Sequence, residues 1–445
     1  MEPVEKAWVQ GDYAGAAQSM EPLLKEYDLK SDNAPINGVI YSLEGGAVLQ
    51  AAGQLESSVA EFNEAYDAIR PYLDSAAETK VTEEAAAAIT NQTVRTYRGQ
   101  SYDRIMMNTY QAINYWRLGD SSKAGVELRR AYEWQKDAID RNAARIQKEQ
   151  EAIEKAGSKD GYDSKKTLSD PGFQQKMDAA FGPIRDMRGY ANYEIPFASY
   201  LRGLSYLSGK TNADLEQARA IFRYVVGLMS GPSAELVKAD AMLAENALQG
   251  KAVPKMVYVI LEAGQSPTLK ELRLDIPIFL PNVPYVAAAF PLLSRSELPT
   301  TSAFTVDGGA EEPVQSALLT DMEGVVAADY NQRLPGIIVA TLVSSAAKAA
   351  ATYAAKQAAG NYGLVTGIIY QAATNSADLR TWTTLPKQVL WARSVRPQAG
   401  KVSVVLADGQ RVGPIDVPDS TVSVVHLRQT ASGTAPMVSV FPVSR

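Results

Sequence analysis

The sequence has no cysteine and a single histidine, His426. Disulfides, thiolate metal sites and cysteine nucleophiles are therefore excluded, as is any metal site that needs two imidazoles. No uninterrupted apolar run reaches the roughly 18 residues a transmembrane helix requires. The chain does not open with the basic stretch and apolar segment of a secretory signal. An excess of positive charge is missing as well: 44 Lys and Arg stand against 50 Asp and Glu, for a net charge of -6. That is the opposite of the basic surface that phosphate neutralisation demands, so nucleic acid is not an expected partner. There is no phosphate-binding glycine loop, nucleophile elbow, zinc-binding helix motif or paired-carboxylate motif. No cofactor and no metal is expected. What remains is ordinary globular composition, 46% hydrophobic and 21% charged over 445 residues, enough for roughly two to four domains.

The two parts of the chain differ in kind. Residues 1–250 carry 28 basic and 36 acidic side chains, whereas residues 251–445 carry 16 and 14. In the first part a pattern recurs four times: Gly, then a small residue about five positions later, then a large apolar one four further on. The copies are Gly11 with Ala16 and Met20, Gly53 with Ser58, Phe62 and Ala65, Gly119 with Ala124, Leu128 and Ala131, and Gly209 with Ala218, Phe222 and Val225. Small residues upstream, Gly46, Ala112 and Gly203, occupy the matching place in a preceding helix. This is the turn and second helix of a tetratricopeptide (TPR) repeat, in which small residues let paired helices approach and glycine caps the first of them. The spacing between copies exceeds the usual 34 or so residues. The array is therefore irregular, with connecting segments at 75–97 and 157–185. The first copy has a shortened leading helix, which suggests chain upstream of Met1. Gly157 to Gly172 reads as an exposed loop, and a helix from Ser233 to Gly250 closes the part.

Beyond Pro254 the hydrophobic period changes to alternation. Strands are expected at Met256–Leu261, Leu272–Phe279 and Tyr285–Phe290. A second set is expected at Val389–Arg393, Val402–Leu406, Gln410–Val417, Thr421–Arg428 and Met437–Val443, with Asp408-Gly409 as a hairpin turn. Helices at about Asp321–Gln332, Gly336–Ala359 and Tyr362–Ala373 separate the two sets. The fold class is α+β: a TPR-like helical repeat domain over 1–250 and an α+β domain over 251–445, whose two strand sets flank an Ala-rich helical segment. In that segment Thr341, Ser345, Lys348, Thr352 and Lys356 form a polar stripe across from Ile338, Leu342, Ala346, Ala349 and Tyr353, as in a packed amphipathic helix. Small residues such as Gly363 and Gly367 leave a ring of partner helices or contact with lipid as the alternative.

Three stretches concentrate charge and rings. Tyr97-Arg98-Gly99-Gln100-Ser101-Tyr102-Asp103-Arg104 and Val126-Glu127-Leu128-Arg129-Arg130 lie on adjoining helices, where ion pairs between repeat helices explain them. Asp378, Arg380 and Trp382, before Leu385-Pro386, combine an ion pair that fixes a turn with a ring for the core. Arg380 has the geometry to grip a carboxylate. His426, in an alternating strand pattern with no Ser/Asp constellation, reads as a packed or hydrogen-bonded side chain rather than a base.

With Asn114-Tyr115, Leu118-Gly119-Asp120, Val259 to Gly264 with Pro267, Asp275 to Pro277 and Arg333 to Pro335, these stretches resemble an uncharacterised family of bacterial cell-envelope proteins. The likeness spans roughly residues 90–395. Its members are mostly predicted lipoproteins with TPR-like helices followed by a C-terminal domain. The resemblance implies a periplasmic or outer-membrane-associated location and a targeting segment with a lipidated Cys, of which this sequence holds only Met1. It makes Arg98, Gly99, Tyr102, Arg104, Glu127, Arg129, Arg130, Asp378, Arg380 and Trp382 the family-motif or interface candidates. The expected role is a non-enzymatic envelope scaffold that binds protein partners and forms a homo-oligomer. The alternatives are a membrane-associated oligomer, ring or pore-like and peripheral or lipid-anchored, using helices 336–373, and a hydrolase or transferase working near Asp378 and Arg380.

Overall fold

The computed structural model describes residues 1–30, 36–73, 96–159, 162–187, 189–190, 193–280, 283–308, 312–374 and 376–444. Helices fill the first part: α1 (Glu2–Val9), α2 (Tyr13–Glu26), α3 (Gly38–Ala51), α4 (Leu55–Ile69), α5 (Ser101–Arg117) and α6 (Ser121–Lys159). After them come α7 (Ser164–Leu168), α8 (Pro171–Arg185), α9 (Pro196–Leu207), α10 (Asn212–Gly227) and α11 (Gly231–Leu248). Pairs α1/α2, α3/α4, α5/α6 and α9/α10 pack as consecutive antiparallel hairpins. Three of them turn in the same way. Gly11, Gly53 and Gly119 have φ of +74°, +79° and +79°, and the following amides of Asp12, Gln54 and Asp120 donate back to Ala7, Leu49 and Tyr115. That is one left-handed helix cap used three times. In the fourth, Thr211 and Asp214 cap α10 reciprocally instead.

Packing inside the pairs repeats too. A Cβ on Gly46 would stand 2.5 Å from the Phe62 ring, and one on Gly203 would stand 2.5 Å from Phe222. Each glycine is the hole its partner helix fills. The small positions Ala16, Ser58, Ala65, Ala124, Ala131 and Ala218 are all buried. The helical part is thus a TPR-like array, and the chain as a whole is α+β.

Five strands form the central sheet, in the order β11-β10-β1-β7-β6: Met437–Val443, Val422–Gln429, Met256–Ala263, Gln388–Val395 and Ala317–Asp321. β1 runs parallel to β10 and antiparallel to β7. Both faces are covered. Met256, Tyr258 and Ile260 join the large core shared with the helices, while Val257, Val259, Leu261 and Ala263 face a smaller four-stranded sheet. That sheet has the order β5-β4-β8-β9: Val314–Gln315, Phe304–Asp307, Lys401–Leu406 and Arg411–Asp416. Period-2 alternation along β1 and β10 therefore puts Tyr258 and Glu262, and His426 and Arg428, on the helix side. A separate ribbon pairs β2 (Thr268–Leu280) with β3 (Val283–Ser294). The large core is continuous from Phe62 and Phe222 in the helices to Trp391 and Phe441 in the sheet.

The structure departs from the sequence reading at several points. The late strands and the Asp408-Gly409 turn fall where expected, but β4, β5 and β6 are additional, and at four, two and five residues they are too short for a period to stand out. Instead of three helices, α12 is helical over Met322–Thr374. A straight helix of that length would reach about 80 Å. Yet Tyr330 donates to the Pro291 carbonyl, Pro291 pairs with Glu271, and Glu271 accepts from the amide of Ala377. The excursion therefore bends back on itself. Thr341, Ser345 and Lys348 are buried along with the apolar side, so the helix is packed all round there rather than amphipathic. Lys356, Gly363 and Gly367 lie outside the side chains described, as does most of 75–97. The expected loop after Gly157 is not open beyond residue 161: Tyr162 and Thr167 are buried, and Thr167 donates to the Pro277 carbonyl. Finally, α11 begins at Gly231, so Ser233 is inside the helix and does not cap it.

Candidate functional site

The helix-facing side of the central sheet carries ionisable groups where a sheet face is ordinarily apolar. At its middle, Glu262 of β1 accepts hydrogen bonds from both sides. Tyr110 of α5 donates to Oε2 at 2.6 Å, and His426 Nε2 lies 2.7 Å from Oε1. Burial pushes the Glu262 carboxyl up, but the hydrogen bond and charge of His426, the charge of Arg428 and the Tyr110 hydroxyl outweigh it and hold the group below the ordinary value. Arg428 donates to the carbonyls of Glu262, Gln429 and Thr384 and lies over the Trp8 ring, 5.3 Å from its centre. Tyr13 of α2 donates to the Arg428 carbonyl at 2.6 Å.

Beside this pair, Glu44 of α3 takes the amides and hydroxyls of Thr383 and Thr384 at 2.5 to 3.1 Å. Burial drives its carboxyl upward against those four bonds. Trp8, Gln50, Tyr110, Glu262, His426 and Arg428 border a cavity of about 10 Å³, room for one water at most. A second cluster sits further along β1, where Asp240 of α11 accepts from Tyr200 at 2.6 Å and Tyr258 at 2.9 Å, with Arg393 of β7 2.8 Å away.

An acid, an imidazole and a phenol in line are the parts of a proton relay. Here, however, the His426 and Glu262 side chains are 2% and 1% exposed, and the cavity between them admits no substrate. What the arrangement does physically is tie α2, α3 and α5 to β1, β10 and the 383–384 turn by bonds that are costly to break in a buried setting. Among the described residues no group of three or more acidic or imidazole side chains has the geometry to hold a metal.

The candidates read from sequence mostly gather at the neighbouring end of α5. Arg104 donates to the carbonyls of Arg98 and Gly99, and Gly99 has the positive φ, +72°, that this turn into the helix needs. Tyr102 is buried with its hydroxyl 3.3 Å from that of Thr381. Asp378 and Arg380 pair as expected at 2.6 Å. Arg380 also reaches Asn37 and lies over Tyr97. Trp382 is fully buried, edge-on to Tyr110 and near Phe62. Glu127 and Arg130 pair within α6, not between helices as the sequence suggested, and it is Asn108 of α5 that crosses to Glu127. Arg130 lies over the Tyr66 ring. Arg129 is exposed and apart from the rest. His426 is buried and bonded, its partner being Glu262.

Glu44, Tyr110, Glu262 and Arg428 were not singled out from sequence. Two of them left a signal: Glu262 is a charge inside the otherwise apolar run of β1 and Arg428 a charge inside the fully buried β10, and a lone charge in a buried strand must have a partner.

No family model matches the chain, and no curated protein matches it. Among solved structures the chain is similar to a tetratricopeptide repeat protein from Parabacteroides merdae. The two are 14% identical, the match covers 55% of this chain and 97% of that one, and the TM-score is 0.14. A score that low does not establish a common arrangement. The repeat assignment rests on the matched caps and the Gly46–Phe62 and Gly203–Phe222 contacts of this chain.

Proposed function

We propose that this protein is a non-enzymatic scaffold of the bacterial cell envelope that binds another protein through its TPR-like helices and associates with copies of itself. The observation that carries this reading is the division of labour between inside and outside. The one acid–imidazole pair is sealed in the interior, whereas rings stand exposed on the array: Tyr132 is 45% and Tyr224 48% exposed, and Arg202 lies over Tyr132 at 4.1 Å. Tyrosine and arginine are the side chains that most often anchor protein interfaces, and stacked helix pairs present extended surfaces for them. The envelope location is supported by the resemblance described for residues 90–395. On this reading, residues 1–250 are the recognition part and residues 251–445 the part that organises assembly.

Site-specific photo-crosslinking tests it. A photoreactive residue at Tyr132 or Tyr224 should trap the same protein from envelope extract, and one at Asp416 on β9 should not. Adducts that do not depend on the position of the probe would sink the proposal, and mass photometry of the purified chain reads self-association directly.

A further inference from the structure

The β2–β3 ribbon has one buried face and one more open face, on which Ala289 and Pro291 are covered at the base while the distal half is exposed. Ile276, Ile278, Val286, Ala288 and Phe290 are buried. On the open face Glu271, Arg273 and Asp275 mark the base, and Pro277, Phe279 and Tyr285 mark the distal half, with Tyr285 opposite Pro277. Phe279 is 51% and Tyr285 66% exposed. From Ile276 to Ser294, nineteen residues, the sequence has no charge. The open face thus changes from charged to apolar along its length, a gradient that contact with water does not call for.

Three lysines stand near the level of the change. Lys165 and Lys166 are exposed on α7, which is fixed to the ribbon by Thr167 at Pro277. Lys176 of α8 donates to the Asp275 carbonyl. The nearby acids are Asp163 and Asp170, which cap α7 and α8, Asp178, which pairs with Arg185, and Asp275 itself.

We propose that the distal end of this ribbon docks on an anionic lipid surface, with Phe279 and Tyr285 entering the headgroup region and Lys165, Lys166 and Lys176 meeting the headgroups. Aromatic side chains favour that depth, and lysines near an anionic leaflet are drawn to it. Three residues of strand beyond Ile276 reach about 10 Å, which matches the depth of an interfacial segment. A second copy of the chain fits less well. Two aromatic side chains and a proline expose far less than the roughly 800 Å² per partner of a stable protein interface. This site is also distinct from helix α12, whose apolar stretch Met322–Ala354 is long enough to cross a membrane but is mostly covered by protein.

The test is flotation of the full chain with vesicles of phosphatidylcholine alone or mixed with phosphatidylglycerol. Binding is expected to the mixed vesicles, weakened roughly tenfold or more by Phe279→Ser with Tyr285→Ser. Lys165→Glu with Lys166→Glu should remove the preference for anionic lipid. Met242→Ser, at an exposed position on α11, should change nothing. In Phe279→Trp, emission should shift to the blue and be quenched by brominated lipid. Absence of flotation, or unchanged binding by the Phe279/Tyr285 variant, overturns the proposal. So does a lipid-free dimer that this variant abolishes, which would assign the ribbon to a second copy.

Discussion

Glu44 and Thr384 stand 340 positions apart in the chain, yet the two oxygens of Glu44 take both the amide and the hydroxyl of Thr384 and of its neighbour Thr383. A carboxylate contributed by the second repeat thereby fixes the turn that leads into β7. Replacing Glu44 by Ala leaves the buried amide of Thr384 and the part-buried amide of Thr383 without an acceptor, at a cost of about 2 to 5 kcal/mol. Glu44→Gln, which keeps one acceptor oxygen, should cost less. Urea titration of both variants measures the difference, and equal stability of Glu44→Ala and wild type would show that water can replace the carboxylate.

Gly46→Leu and Gly203→Leu should destabilise to a similar degree, by about 1 to 3 kcal/mol or more, because each puts a side chain where Phe62 or Phe222 already sits. Similar losses in thermal melts would follow from equivalent places in a repeat. A large loss at one and none at the other would mean that the matched spacing has no matched packing.

Burial raises the carboxyls of Asp103, Glu61 and Glu194 to about 7. Asp103 is held by Tyr97 and the Gln100 amide. Such groups keep a proton in the folded state that the unfolded chain has already lost, so their contribution is complete below about pH 4 and declines as pH rises toward 7. Glu262 is shifted the other way, and its contribution is lost only as pH falls below the ordinary glutamate range. The urea midpoint should therefore be higher near pH 5 than near pH 8, and Asp103→Asn should shrink the gap. A midpoint that rises over this interval would contradict the sign.

Trp382→Ala should cost about 3 to 5 kcal/mol through the cavity it leaves between Phe62 and Tyr110. Arg380→Ala should cost less, about 1 to 3 kcal/mol, because the Asp378 side chain it abandons is 30% exposed. Circular dichroism melts rank the two, and the reverse order would place Arg380 at the centre of the seam.

Periodicity alone was enough to read the helical pairs and the late strands, because their small–large spacing and alternation are local properties. Glu262 and His426 show where that stops. Each sits in a recognisable strand, but they meet only because β1 pairs in parallel with β10, a pairing no local pattern specifies. The polar stripe of α12 misleads for a related reason: Thr341, Ser345 and Lys348 look like a solvent face until the neighbours that cover them are known. Among the candidate residues, Asp378, Arg380 and Trp382 were legible as a pair and a core ring. Their contact with Asn37 and Phe62 was not.

The hydrogen bond from Tyr13 to the Arg428 carbonyl joins an early helix to one of the last strands. At roughly 5 to 20 residues per second, the ribosome needs on the order of 20 to 80 s to make the chain between them. Throughout that interval Trp8, which is 2% exposed in the finished protein, lacks the guanidinium that will lie over it. The first repeat therefore cannot complete its packing until the last strands have been made, with Trp8 still without the side chain of Arg428.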